Sequence, residues 1–377
     1  MTDKEISEIR RRFRPDRTNI NHIAGCYVSD NREIIARFDQ PVATATENER
    51  EKYMALLKRS LSGGQGKNLL DITFQTAQVA DSDEHRLLMN LRDSGLKNES
   101  VLDQFFETVV QSLAMETNYV ILLAHDVYDV PYKGRDGGHM ADGSDTQFSY
   151  IVCSICPVKL TKPNLCFDAH EQTFHLQTQD FVVAAPELGF LFPAFDSRST
   201  NLYNALYYTR SADNVHEDFI EAIFRTEPPM AAADQKETFQ LMLSDSLEES
   251  CSYDVVQTMH SHLSDLIADH KANHDPEPLV LTKQQVEQVL ESCGVEQAEL
   301  ESFDKRFDDE FGADAILSPA NLIDAKQMQV STPDVTIKVN PERKDLVETR
   351  VINGAKYILV RADDSVEVNG INIHIQE

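Results

Sequence analysis

The sequence predicts an α+β protein with an N-terminal mixed or antiparallel sheet carrying helices, a central helical region and a C-terminal antiparallel β-meander. Three observations lead there. Strand-like runs and capped helical segments alternate through residues 1–225, helical periods without strand signals fill 226–330, and strict two-residue alternation with two Asn-Gly pairs marks 331–377. A chain of 377 residues also exceeds what one apolar core usually serves, so these stretches read as an α+β domain, a helical region and a small β-meander.

In the first stretch, Thr46-Glu47-Asn48-Glu49 fits a capping box, in which a Thr hydroxyl and a Glu carboxylate satisfy otherwise orphan N–H groups. The helix it opens is expected to end at Gly63-Gly64. Val101, Leu102, Phe105, Phe106, Val109, Val110 and Leu113 recur every three or four residues, giving one broad apolar helix face that a sheet has to cover. Expected strands are 22–29 and 32–38, joined at Asp30-Asn31, then 69–74, 119–128, 148–156, 189–195 and 201–209.

Farther on, Val255, Val256, Met259, Leu263, Leu266 and Ile267 define one helix face, and Thr282 with Gln285 caps the next helix. Leu300, Phe303, Phe307 and Phe311 mark another, whose opposite face carries Glu299, Glu301, Asp304, Asp308, Asp309 and Glu310. In the last stretch Val335, Ile337 and Val339 alternate with Thr336, Lys338 and Asn340. Asn353-Gly354 and Asn369-Gly370 tolerate the positive φ of tight hairpin turns.

Sixty-three acids against 35 bases leave a formal charge of −28, which repels nucleic acid and anionic lipid over most of the surface. Nucleic acid is therefore an unlikely partner. The local exception is RRRFRPDR, where Arg10, Arg11, Arg12, Arg14 and Arg17 crowd the end of a first helix; they are expected to complement its dipole and pair with acids elsewhere in the chain. Neither a signal-peptide core nor eighteen consecutive apolar residues occurs, so the expectation is a cytoplasmic protein without a membrane partner. Cys26, Cys153, Cys156, Cys166, Cys251 and Cys293 then read as reduced thiols.

Several motifs come close to a chemical signature and miss it. Ser62-Gly63-Gly64-Gln65-Gly66-Lys67-Asn68 lacks the first glycine and the Ser/Thr of a phosphate-binding loop, and its order is helix, loop, strand. Cys153 and Cys156 lie three apart in an extended run, so their thiols point to opposite faces. His170 and His175 are five apart, which no helix brings to one metal, and His270 with His274 falls where a helix is ending.

The richest stretch is YVILLAHDVYDVP from Tyr119, followed by a polar loop holding Asp136, His139, Asp142 and Asp145. His125, Asp126 and Asp129 are the candidate catalytic residues there, and His125, Asp129 and His139 the candidate metal ligands of a metal-assisted hydrolase. Extended geometry opposes this, because it separates His125 and Asp129 by about 13 Å.

Read together, ISEIRRRFRP, AGCYVSDN, LLAHDVYDVP, CSICPVKLTKPNL, GFLFPAFDSRSTNLYNALYYT and LVETRVINGAKYILV with VEVNG resemble an uncharacterised family from gut-associated Gram-positive anaerobes, catalogued as domain of unknown function 4317. The resemblance spans almost the whole chain. It implies one recurring cytoplasmic architecture and supplies no activity, cofactor or catalytic residue.

The function the sequence favours is therefore a non-catalytic cytoplasmic binding or interaction protein that meets a protein partner through acidic helical faces, with no cofactor. A metal-assisted hydrolase using a divalent ion is the alternative. Nucleic-acid association through the arginine-rich start ranks third.

Overall fold

The computed structural model describes every residue except 134–138, 141–145, 169, 178, 274–276, 314, 326, 363–365, 369–370 and 374–377. The chain forms two units, Met1–Ala231 and Ala232–Glu377, with separate apolar cores.

The first unit is built on strands β1 (His22–Val28), β2 (Ile34–Pro41), β3 (Leu69–Thr73), β4 (Tyr119–Asp129), β5 (Gln147–Leu160), β6 (Asn164–Asp168), β7 (Thr173–Gln177), β8 (Phe181–Val183), β9 (Leu188–Phe192) and β10 (Asn204–Thr209). Seven of them form one antiparallel sheet in the order β2-β1-β4-β5-β9-β10-β3, and β8 pairs with β5 beside it. Its helices are α1 (Asp3–Arg10), α2 (Glu47–Arg59), α3 (Thr76–Asp81), α4 (Asp83–Asp93), α5 (Glu99–Ser112) and α6 (Glu217–Phe224).

Helices cover both faces of the sheet. Ile121, Leu123, Ile151 and Phe190 pack against Leu88 of α4, Phe105 and Val109 of α5 and Phe219 of α6. Val120, Leu122, Val152 and Leu191 pack beneath Ile9 of α1 and Met54 and Leu57 of α2. This accounts for β4 reading as an unbroken apolar run: with both faces buried, neither set of alternating side chains meets water. Cys153 and Cys156 fall into these two different cores, as their spacing requires.

Capping boxes at Thr2 with Glu5 and at Thr46 with Glu49 open α1 and α2. The second helix stops at Arg59, before the expected Gly63-Gly64, because Ser60 turns inward and its Oγ meets Ser154 Oγ at 2.7 Å in the core. The loop that follows runs from helix to strand, and Asn68 donates its side-chain amide to the carbonyls of Thr209 and Arg210 at 3.1 and 3.2 Å. It ties β3 to β10.

The second unit holds α7 (Ala232–Leu247), α8 (Tyr253–Asn273), α9 (Lys283–Ser292), α10 (Gln297–Glu310) and α11 (Pro319–Leu322), packed around Phe239, Leu263, Leu290, Phe303 and Phe307. Val256 departs from the expected face of α8 and is 47 % exposed. Antiparallel pairs then follow, Met328–Ser331 with Thr336–Val339, Val347–Ile352 with Ala355–Val360, and Val366–Val368 with Ile371–Ile373. Asn353 and Gly354 turn the middle hairpin at φ values of 52° and 81°. Asn369 and Gly370 lie outside the described residues.

Candidate functional site

Strand β4 separates the residues that the sequence groups together. Successive side chains on a strand point to opposite faces, so His125 follows Ile121 and Leu123 toward α4 and α5, whereas Asp126 follows Leu122 and Ala124 toward α1 and α2. His125 is half-buried, with Nε2 2.9 Å from Ser149 Oγ. Asp129 ends the strand and accepts a hydrogen bond from Gln147 Nε2 at 2.9 Å. The backbone of His139 pairs with Lys133, but its side chain lies outside the described residues, as do Asp136, Asp142 and Asp145. Among the described residues no three His, Cys, Asp or Glu side chains gather so as to hold a metal ion.

Burial pushes the His125 pKa below its ordinary value; Asp126 opposes this, the nearby His22 and Arg92 add to it, and Asp93 opposes it. Burial does the same to His216, against Glu187. The unfolded chain therefore binds protons on these rings at a higher pH than the folded chain does. Their contribution to stability is present above about pH 6.5 and is lost as pH falls below it. Urea midpoints compared at pH 7.5 and 5.5 are expected to fall with acidity, with a shallower fall in His125→Gln/His216→Gln. An unchanged slope in the double variant contradicts the assignment.

Asp126 is the centre of a different arrangement. It is buried, and its carboxylate accepts hydrogen bonds from Arg12 Nε at 3.3 Å, Arg12 Nη2 at 3.4 Å, the Asn19 backbone N–H at 2.9 Å and the Tyr150 hydroxyl at 2.8 Å. A carboxylate offers about four lone-pair directions, and four donors use them. Asp126 thus anchors the arginine-rich segment after α1 to the sheet. Of that segment Arg12 pairs with a distant acid, Asp126, as expected, whereas Arg14 and Arg17 pair with Asp16 inside the segment itself.

Arg12 also lines a cavity of about 560 Å³, together with Glu8, Arg11, Asp16, Arg17, Tyr128, Pro131 and Arg198. The Arg12 guanidinium sits 4.9 Å over the Tyr128 ring. The Tyr128 hydroxyl donates to Glu8 Oε1 at 2.7 Å, and burial together with that bond pushes its pKa up to about 12. Arg198 binds Glu8 Oε2 through Nη1 at 3.0 Å and donates from Nη2 to the Pro131 carbonyl at 2.8 Å. Glu8 therefore holds two walls of the cavity in place. Arg11 is exposed and has no ion pair among the described residues, while Arg17 reaches Asp16 only at 3.8 Å.

Tyr150, Tyr128, Arg198 and Glu8 are absent from the sequence-derived candidates. Tyr150 is found only from strand register, because it pairs directly with Asp126 across β4 and β5. Arg198 sits in a turn with φ of 57°, where no periodic signal exists.

Fold and site together define an antiparallel sheet with helices on both faces and an arginine-lined cavity at its α1 side. The chain belongs to the family described as Domain of unknown function (DUF4317), whose model matches residues 1–371. No curated protein matches the sequence. None of the helices among the described residues is long and apolar enough to cross a membrane.

Proposed function

We propose that this protein is a non-catalytic cytoplasmic binding protein that takes a small anion, bearing phosphate or clustered carboxylates, in the arginine-lined cavity. The observation that carries this reading is that four arginines, Arg11, Arg12, Arg17 and Arg198, outnumber the two acids, Glu8 and Asp16, in the lining of one cavity of a chain with a net charge of −28. Arginine's planar fork suits phosphate and carboxylate oxygens, and Tyr128 supplies a flat wall. The surrounding negative field favours a compact anion over a long polyanion. The acidic face of α10 supports a partner site less well, because Lys283 already binds Asp304 and Asp308 at 2.6 and 2.7 Å. Among the described residues His125 and Asp126 face opposite ways, which gives the hydrolase reading less support.

Calorimetric titration of the full chain with inorganic pyrophosphate and with citrate tests this. One of them is expected to bind, less tightly as salt rises, and Arg11→Ala/Arg17→Ala is expected to weaken binding by about tenfold or more. Both residues are exposed, so the variant keeps its fold. Absence of heat from either compound at millimolar concentration overturns the proposal. So does equal affinity in the double variant.

A further inference from the structure

Of the two acids that line the arginine-rich cavity, Asp16 is exposed, whereas the Glu8 side chain is only 18 % exposed. The two Glu8 oxygens are matched separately: Oε1 accepts from the Tyr128 hydroxyl at 2.7 Å and Oε2 from Arg198 Nη1 at 3.0 Å. A hydroxyl and a guanidinium converging on one carboxylate are the kind of donor set that the oxygens of an anionic ligand use.

Arg198 does not depend on Glu8 for its position. It follows Ser197 in the two-residue turn between Asp196 and Ser199, and the two residues have φ of 57° and 49°, values that side chains with a Cβ rarely adopt. Such a turn persists where its surroundings hold it. Here the Arg198 N–H donates to Glu5 Oε1 at 3.3 Å and Nη2 donates to the Pro131 carbonyl at 2.8 Å, so two tethers remain without Glu8. The Tyr128 ring likewise keeps two neighbours, the Arg12 guanidinium at 4.9 Å and the Phe195 ring at 6.1 Å. The donor pair is prebuilt, and Glu8 is the anion that fills it.

We infer that Glu8 is the specificity-determining residue of this cavity, an internal carboxylate that takes the Arg198–Tyr128 donor pair and sets, by its charge, how strongly an incoming anion is held. This rests on the proposal that the cavity is an anion site. Asp126 offsets the charge of Arg12 and Glu8 that of Arg198, which leaves Arg11 and Arg17 as the guanidinium groups least offset by an acid. Arg198 still has N–H groups to offer, because its two side-chain bonds to Glu8 and Pro131 use two of the five on a guanidinium.

The effect scales with the ligand. A carboxylate in the lining opposes every negative charge brought into the cavity, so Glu8 disfavours pyrophosphate more than inorganic phosphate, which carries about half as much charge. A residue that only propped the walls would act in the other direction, and its loss would loosen both anions alike.

Calorimetric titration of the full chain with pyrophosphate and with inorganic phosphate, in buffer free of divalent cations, tests the inference in Glu8→Gln. Glutamine has nearly the same shape and keeps one oxygen as an acceptor, but no longer offsets the charge of Arg198. Pyrophosphate is expected to bind about tenfold more tightly than it does to the parent, and inorganic phosphate about threefold. Glu8→Asp, which shortens the side chain and keeps its charge, and Glu116→Gln, which removes the same charge from an exposed loop after α5, are each expected to stay within about twofold of the parent. Pyrophosphate affinity that is unchanged or weaker in Glu8→Gln, or that rises equally in Glu8→Asp or Glu116→Gln, overturns this inference and leaves the anion site standing. Absence of binding by either anion in the parent and in every variant removes the anion site, and the inference with it.

Discussion

Replacing Asp126 with Ala is expected to lower the stability of the first unit by about 3–5 kcal/mol, the cost of removing one partner from a buried ion pair. The substitution leaves the Tyr150 hydroxyl, the Asn19 N–H and the Arg12 guanidinium without their acceptor at a site where the carboxylate is fully sheltered and Arg12 nearly so. Arg12 loses its tether, and with it the segment that forms one wall of the arginine-lined cavity. The chain has no Trp, and all of its eleven tyrosines except Tyr253 and Tyr357 belong to the first unit, so near-ultraviolet circular dichroism during urea unfolding reports that unit. A loss below about 1 kcal/mol would mean that the carboxylate is solvated and the network is not formed.

Gly189→Ala is expected to cost about 3 kcal/mol and to lower the melting temperature by roughly 6–12 °C. Gly189 lies in β9 directly beneath the end of α2. A Cβ there collides with the backbone oxygen of Cys153 and sits 2.6 Å from Ser60 Oγ. The close approach is what lets Ser60 reach Ser154, so this glycine provides space between helix and sheet. Removing the hydroxyl with Ser60→Ala is expected not to rescue the variant, because the clash with the β5 backbone remains. A melting temperature within 1 °C of the parent would show that the sheet yields more easily than this packing allows.

Much of the first unit is legible in the sequence because its signals are local. The 119–129 and 147–160 runs are apolar and rich in β-branched residues, and the 99–112 helix shows its face plainly. Helices α3 and α4 escape, the first because it is short and buries no residue, the second because charged residues surround Leu87, Leu88 and Leu91 although Ser82 caps it. The 164–177 hairpin escapes too. Its alternation of Leu165, Phe167, Phe174 and Leu176 with polar residues is present, but alternation predicts a covered face, and these four side chains are exposed.

The site was legible only in halves. The arginine cluster and Asp126 both stand out in the sequence, separated by 114 positions, and nothing local says that they meet. Their meeting depends on α1 lying across β4, and Tyr150 joins them only through the antiparallel register of β4 and β5. His125 and Asp126 part for the opposite reason: positions an odd number apart on a strand face opposite ways, and neighbours in sequence are the nearest such pair.

The proposed receptor for a compact anion is built on the segment held by Asp126. A crystal structure of the full chain grown with pyrophosphate tests it most directly. The ligand's phosphorus atoms are expected between Arg11, Arg17 and Arg198, beside the Tyr128 ring, with the Arg12–Asp126 pair intact. Pyrophosphate bound only elsewhere, or an Arg12 that leaves Asp126 to reach it, would contradict the account.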